Sequence, residues 1–448
     1  PRRRTPISAR VGSAALVTDP VTKGGISLTS AAAMGVGGMM GAGLYTLLGL
    51  AVDSTGSLLP FAFLLAGFAA AFSVYSYSKL GAKYPSRGGA AQFLLEEYGQ
   101  GVVSGGLNVF QYVAYLIATA LYAAGFAEYF TVVLGGDLPD WTAKAIGAGV
   151  VVLFTLVNMV GTRLVGRAET IIIGVESVIL VAFIALGVGK ADFGQVLGGE
   201  HPNGVVGVLT GAALLYVTYQ GFGVVTNTSG EMLHPNKELP RAMFSALAIV
   251  AVVYLVVSTL VVGLLSVAKM QQDAGHVLAD AGEAVLGNVG FLVISGAAIL
   301  ATASAVNATI FAASNVGYDV SQNHQISASL TRTVWRSTPV ALFVSGSVTV
   351  LFVLFFPLSA VGQMTSLAFL VVYGSVSYGH LRLRAHTGAK AWPLWTAVVL
   401  NAALFIALLI DAVRSGSPAT WITLLAALFG SFAFEAYFRR RHPQPPPA

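Results

Sequence analysis

The chain has no cysteine, and that absence removes disulfides and thiolate metal sites together. Charge is scarce. Asp, Glu, Lys and Arg make up 10% of the 448 residues, against about 25% in an ordinary soluble domain. Histidine occurs seven times, as His201, His234, His276, His324, His380, His386 and His442, in loops or at segment ends. No two histidines stand at HExxH or HxxxH spacing, so zinc chemistry is not expected. No G-x-x-x-x-G-K-[ST] stretch is present, which excludes a P-loop and direct drive by ATP. The clustered His, Asp, Ser or Cys that a membrane-embedded enzyme needs are missing as well. The N-terminal PRRRTPISARVGSAALVTDPVTKGG is basic and polar, without the sustained apolar core of a cleavable signal peptide. The C-terminal RRRHPQPPPA reads as a disordered tail.

What fills the chain instead is apolar. Hydrophobic residues make up 56% and the mean hydropathy is +0.77. Runs bounded by Gly, Pro and charge predict an all-α membrane protein of twelve spans, each long enough for a bilayer that needs about 20 residues. They fall near 25–51, 58–80, 102–134, 143–161, 168–189, 204–232, 241–266, 284–315, 338–356, 359–381, 391–412 and 418–437. Threaded this way, all but four of the 24 Lys and Arg lie on the side of the two termini. The exceptions are Lys144, Lys190, Lys269 and Arg414. The positive-inside rule then makes the termini cytoplasmic and the chain a multi-pass cell-membrane protein. The net charge of +5 reflects that orientation and carries no nucleic-acid signal.

Two spans are weakened at their centres. The first carries Gly41-Ala42-Gly43, and the sixth carries Gln220-Gly221-Phe222-Gly223 followed by Val224. They stand five apart in order, so they are equivalents if the fold repeats, inverted, after five spans. Interrupted helices at matching places in two halves point to the binding site of a transporter. An unwound segment offers N–H groups with about half a positive charge at one half-helix start and carbonyls at the other half-helix end. One break can therefore grip both ends of a zwitterion. Glycine also serves close helix packing through small-xxx-small patterns such as Gly37 with Gly41, and both readings stand at this point.

The stretches GVGGMMGAGLYTLLG from Gly35, SKLGAKYPSRGGAAQFLLEEYGQG from Ser78 and YQGFGVVTNTSGEMLHPNKELPRAM from Tyr219 resemble motifs of the amino acid–polyamine–organocation permeases. The resemblance covers about residues 25–335. It implies a leucine-transporter-like fold: a tail over 1–24, a first inverted repeat over 25–189, a second over 204–381, two further spans over 391–437, and a tail over 438–448. It implies a substrate held between the unwound parts of spans 1 and 6. Met39, Met40, Gly41, Ala42 and Gly43 would surround its carboxylate. Tyr219, Gln220, Gly221, Phe222, Gly223 and Val224 would surround its amino group. Two departures stand out. Many members have Glu where this chain has Gly223, and several have Lys in mid-span 5 where Glu176 falls.

A carboxylate inside a span is a functional-site hypothesis by default. Glu176 is therefore expected to carry the coupling proton, with a Na⁺ ligand or a contact for a cationic substrate as alternatives. Glu231, at the exit of span 6, is expected to form a gate with Arg87, Lys79 or Arg241. Thr302 and Ser304 in span 8 are candidate cation ligands, with Asn307 beside them. Glu128 and the aromatics Tyr112, Tyr115 and Tyr122 read mainly as interface and packing residues. The expected function is secondary transport of an amino acid or related amine by alternating access, proton-coupled, without a cofactor. Polyamine or inorganic-cation transport, amino acid exchange and a transporter-like sensor are the alternatives.

Overall fold

The computed structural model describes residues 26–85, 89–136, 138–160, 163–226, 228–323, 325–326, 328–335, 338–415 and 418–441. Among the described residues, apart from one antiparallel pair, β1 (Thr333–Trp335) with β2 (Thr338–Pro339), every regular element is helical. Ser27 caps the first helix, α1 (Leu28–Met40), by accepting from Ser30 N–H at 3.1 Å. Gly41 then departs from helical geometry at φ −53°, ψ −142°, and α2 (Ala42–Thr55) follows at once. The chain turns at Gly56, whose φ of 55° suits glycine, and enters α3 (Leu59–Lys83). A short α4 (Ala90–Tyr98) leads to the long α5 (Val102–Val133), then α6 (Asp140–Val160), α7 (Arg163–Gly187) and one turn, α8 (Gln195–Gly198).

The next apolar stretch is broken more extensively. α9 (Gly204–Leu215) tightens into a 3-10 turn over Tyr216–Tyr219, passes Gln220 and Gly221, and resumes as α10 (Phe222–Thr226). α11 (Pro235–Leu264), α12 (Val267–Gln272), α13 (Val277–Leu286) and α14 (Asn288–Gln322) follow. The last four helices are α15 (Val340–Phe355), α16 (Leu358–Thr387), α17 (Ala391–Ser415) and α18 (Pro418–Arg441).

Ten segments among the described residues are long and apolar enough to cross a membrane. The first, Leu28–Lys83, is 56 residues long and holds α1, α2 and α3. α15 is apolar but only 16 residues long. At 1.5 Å per residue that is about 24 Å, short of a hydrocarbon core of about 30 Å.

Helix ends depart from the apolar boundaries for physical reasons. α11 begins at Pro235 rather than near 241, because a first turn tolerates proline and polar residues. α16 and α18 run on through basic last turns, which suit the negative end of a helix dipole. The eighth span does not start at 284. Gly287, with φ 63°, ends α13 and redirects the chain into α14.

α11 packs against both α1 and α3, and α5 packs along α14 and α16. These helices, with α9 and α10, enclose the core. α6, α7, α17 and α18 keep mostly exposed apolar faces. On α7 the exposed residues Ile171, Val175, Val178 and Val181 recur at helical spacing, while Ile173 packs inward and Leu180 and Phe183 are buried on the opposite face. Such a continuous apolar exterior requires lipid.

The two interruptions touch. A Cβ added at Gly221 would collide with the carbonyl carbon and oxygen of Gly38, whereas one added at Gly223 would meet nothing within 4 Å. Gly221→Ala should therefore lower the thermal midpoint of the purified protein by an amount worth at least about 1–3 kcal/mol, the range for overpacking. Gly223→Ala should leave it unchanged. Equal midpoints for the two variants would contradict this packing.

Candidate functional site

A helix broken at one residue strands the carbonyls of the turn before it and the N–H groups of the turn after it. Gly41 N–H still reaches Gly37 O at 3.3 Å, so the stranding begins at Gly38. The Gly38 carbonyl lies against Gly221. The Met39 carbonyl accepts from the Tyr254 hydroxyl of α11, which also lies 3.2 Å from the Thr218 carbonyl. One phenol thus spans both interruptions. Met39, Met40, Ala42 and Gly43 are buried here, and Gly43 packs on Thr218. On the other side of the break, α2 starts at Gly41 with no side-chain cap. Its first N–H groups form a small electropositive end inside the protein.

The second interruption is held by the same kind of donor. Ser366 of α16 lies 2.7 Å from the Ala213 carbonyl and 2.8 Å from that of Leu214, at the end of α9. Tyr373, two turns further along α16, donates to the Gln220 carbonyl at 3.3 Å. Tyr219 is buried and donates to the Phe63 carbonyl at 3.0 Å. The Gln220 amide donates to the Tyr122 hydroxyl at 3.2 Å, while its Oε1 is buried without a hydrogen-bond partner. Phe222 is buried between Tyr77 and Tyr373, with ring centroids 5.3 and 5.0 Å away. Gly223 borders open space, and Val224 is half exposed.

Glu176 is buried on the inner face of α7. Ile173, three residues earlier on that face, fills the space beside Gly37 of α1. Three residues of helix advance about 4.5 Å, so Glu176 lies within one turn of the contact that Ile173 makes with Gly37. Its carboxyl interacts electrostatically with the Tyr45 hydroxyl, which is buried and lacks a hydrogen-bond partner. The uncapped start of α2 and the Gln220 Oε1 thus border the two breaks, with the Tyr45 phenol one turn into α2 and the Glu176 carboxyl in electrostatic range of it.

The other candidates stand elsewhere. The Thr302 hydroxyl turns back onto its own helix, 2.6 Å from the Ala298 carbonyl and 3.1 Å from that of Ile299. Ser304, two residues on, is half-buried and cannot share a face with Thr302. Asn307 accepts from Asn158 at 2.8 Å. Tyr112 pairs with Ser345, and Tyr115 packs on Phe369. Glu231 is half-buried at the end of a 3-10 turn, Ser229–Glu231, and Arg87 lies outside the described residues.

The hydroxyl donors Tyr254, Ser366 and Tyr373 did not stand out in the sequence. Tyr254 left a trace, as the one hydroxyl between Ser245 and Ser258 in an apolar run. Glu97 of α4 left less. It is buried, with both carboxylate oxygens lacking hydrogen-bond partners, and it fills the space beside Gly379 of α16. Nearby, Arg382 lies 5.1 Å from the Tyr98 ring centroid, and Tyr98 donates to the Ser375 carbonyl at 2.7 Å. Burial pushes the Glu97 carboxyl well above the usual carboxylate range, and Arg382 only partly opposes the shift.

A family model described as amino acid permease matches residues 26–434. An uncharacterized protein of Methanocaldococcus jannaschii is 32% identical over 422 residues, which cover 93% of this chain and 95% of the archaeal protein. The inner membrane transport protein YbaT of Escherichia coli is 27% identical over 360 residues, covering 80% and 84%. The branched-chain amino acid permease BcaP of Lactococcus lactis is 23% identical over 444 residues, covering 91% and 93%.

Tyr254→Phe strands the Met39 carbonyl in a dry environment and should cost about 1–3 kcal/mol, read as a lower unfolding midpoint; an unchanged midpoint would show that the phenol is dispensable. Glu97 holds its proton in the folded chain at pH values where the unfolded chain has lost it. Its contribution is complete below the ordinary carboxylate range and is lost as pH rises through the raised value. Thermal midpoints measured from acid to neutral pH should fall more for the wild type than for Glu97→Gln, which should be the more stable of the two at neutral pH.

Proposed function

The chain belongs to the amino acid permease family, and we propose that it moves an amino acid or related amine across the cytoplasmic membrane by alternating access, coupled to a proton. Family membership makes it a multi-pass membrane transporter and not an enzyme. The observation that carries the finer reading is the meeting of two helix breaks, at Gly41 and at Tyr216–Gly221, deep in the helical core.

In this reading twelve spans form two inverted halves. α1/α2, α3, α5, α6 and α7 make the first, and α9/α10, α11, α14, α15 and α16 make the second, with α17 and α18 outside them. The distribution of basic residues supports cytoplasmic termini. The substrate carboxylate meets the N–H groups at the start of α2, and its amino group meets the carbonyls around Gln220 and the free Gln220 Oε1. Gly38 against Gly221 and Gly43 against Thr218 leave little room between the breaks. Admission of substrate therefore requires the two half-helix pairs to separate, which is the motion that alternating access needs. Glu231 closes the cytoplasmic exit of span 6 with a basic partner such as Arg87.

Glu176 carries the coupling proton. A buried carboxyl in electrostatic range of the Tyr45 phenol can load and release a proton as the site opens to either side. The Thr302 hydroxyl is engaged within its own helix, and Ser304 faces another direction, so sodium is the weaker choice.

Uptake of labelled amino acids into proteoliposomes tests both layers. An inward proton gradient should accelerate uptake, and a protonophore should abolish the acceleration. Glu176→Gln should remove the gradient dependence while sparing exchange. Gradient-driven uptake that survives in Glu176→Gln would overturn the coupling assignment. Absence of uptake and of binding for every amino acid and amine tried would overturn the substrate class.

A further inference from the structure

Away from the two breaks, the turn between α12 and α13 gathers three ligating side chains. Asp273 closes α12, His276 precedes α13, and Asp280 lies in the first turn of α13. One ligand atom from each lies within 4.8 Å of the others. His276 Nε2 is 3.9 Å from Asp273 Oδ1 and 3.8 Å from Asp280 Oδ2. Neither distance is a hydrogen bond.

The cluster is not an ordinary solvated acidic surface. Asp280 is 5% exposed, and its Oδ2, directed at His276, has no hydrogen-bond partner. A buried carboxylate oxygen left unpaired is costly, and each such group requires an explanation. Lys269 pairs with the other Asp273 oxygen, Oδ2, at 2.5 Å, and so leaves Oδ1 turned toward the imidazole. The imidazole itself is steadied by Phe291, edge to face at 6.4 Å.

We propose that Asp273, His276 and Asp280 form a binding site for a divalent transition-metal cation. Two carboxylates and one neutral imidazole make a borderline nitrogen–oxygen donor set, suited to zinc or manganese rather than to calcium or magnesium alone. Tetrahedral zinc with bonds of about 2.0–2.1 Å holds its ligand atoms about 3.3 Å apart. The two imidazole–carboxylate separations need to close by about half an ångström, the two carboxylate oxygens lie within 4.8 Å of each other, and water completes the shell. The spacing suits such a site: His276 and Asp280, four residues apart, lie on one face of the helix start.

Bound metal would fix a turn that presses on moving parts. The Ala274 carbonyl packs so closely on Gly49 of α2 that a Cβ there would collide with it. On the other side of the turn, a Cβ at Gly275 would sit 3.0 Å from Glu128 Oε2 of α5. The turn is therefore wedged between α2, which continues from the Gly41 break, and α5. With the orientation proposed above, this is the external face. A cation that stiffens the turn would resist displacement of α2 and slow transport from outside.

Calorimetric titration of Zn²⁺ into the tag-free full-length protein in detergent tests the site without reference to transport. One saturable site per chain is expected. His276→Ala and Asp280→Asn should each weaken it by more than the roughly 10- to 100-fold that loss of an outer-shell partner costs. Glu283→Gln, an exposed carboxylate on the same helix, should leave it intact. X-ray absorption on the wild-type zinc complex needs no variant to fold and should show one imidazole in a nitrogen–oxygen shell. No saturable binding, undiminished binding in both ligand variants, or a shell with two or more imidazoles would overturn the proposal. Binding without any uptake activity would leave this site standing and count against the transport reading alone.

Discussion

Backbone groups inside a bilayer have no water to turn to, and each one left unsatisfied costs several kcal/mol. Most of the arrangement around the two breaks follows from that constraint. Breaking α1 at Gly41 and loosening α9 at Tyr216 releases carbonyls at a depth where only other side chains can meet them. Tyr254, Ser366 and Tyr373 meet them, from α11 and α16. The two interrupted stretches are thus tied to two continuous helices by single hydroxyls. What the hydroxyls do not cover is as informative. The uncapped N–H groups of α2 and the Gln220 Oε1 remain, and these are a donor end and an acceptor, the pair that a zwitterion would complete.

The apolar exterior imposes the complementary constraint. α7 exposes Ile171, Val175, Val178 and Val181 along one face and directs Glu176 inward from the other. A carboxylate on the lipid face would be expelled or would bend the helix toward an interface. On the inner face it can stay, provided that its surroundings offer a phenol and a broken helix. Burial of Glu176 is therefore a consequence of which face meets lipid, and Ile173, on the same face, packs on Gly37 of α1. Coupling is the use that the proposed mechanism makes of that placement.

The all-helical membrane character and both breaks were legible in the sequence, because a bilayer reduces them to length, hydropathy and glycine content. The sixth stretch was legible as interrupted, and Tyr216–Gly221 is where the helix yields. Less legible was the economy of the first break, which takes one residue rather than three. Helix ends were misplaced wherever a helix outran its apolar core, as at Pro235, or turned sharply at a left-handed glycine, as at Gly287. The hydroxyl ties were not legible, since a tyrosine in an apolar run gives no sign of which distant carbonyl it will reach. The same holds for Thr302, whose hydroxyl satisfies its own helix: composition shows an oxygen is present and says nothing of where it points.

The glycines of the first stretch show how two physical readings of one motif can both hold. Gly35 packs on Ala246 and Val225, Gly37 on Ile173, and Gly38 on Gly221, so all three admit close neighbours, side chains at the first two and backbone at Gly38. Gly41 does something else: it ends one helix and starts another within a single residue. Close packing alone would be met by a continuous helix of small residues. A break alone would not need glycine for a turn and a half before it. Together they let the end of α1 lie flush against the loosened turn of α9–α10, backbone to backbone, so that the stranded groups of one break face those of the other. That contact also sets the fate of the space between them, because two glycine surfaces can part by a small displacement without leaving side chains behind to fill the gap.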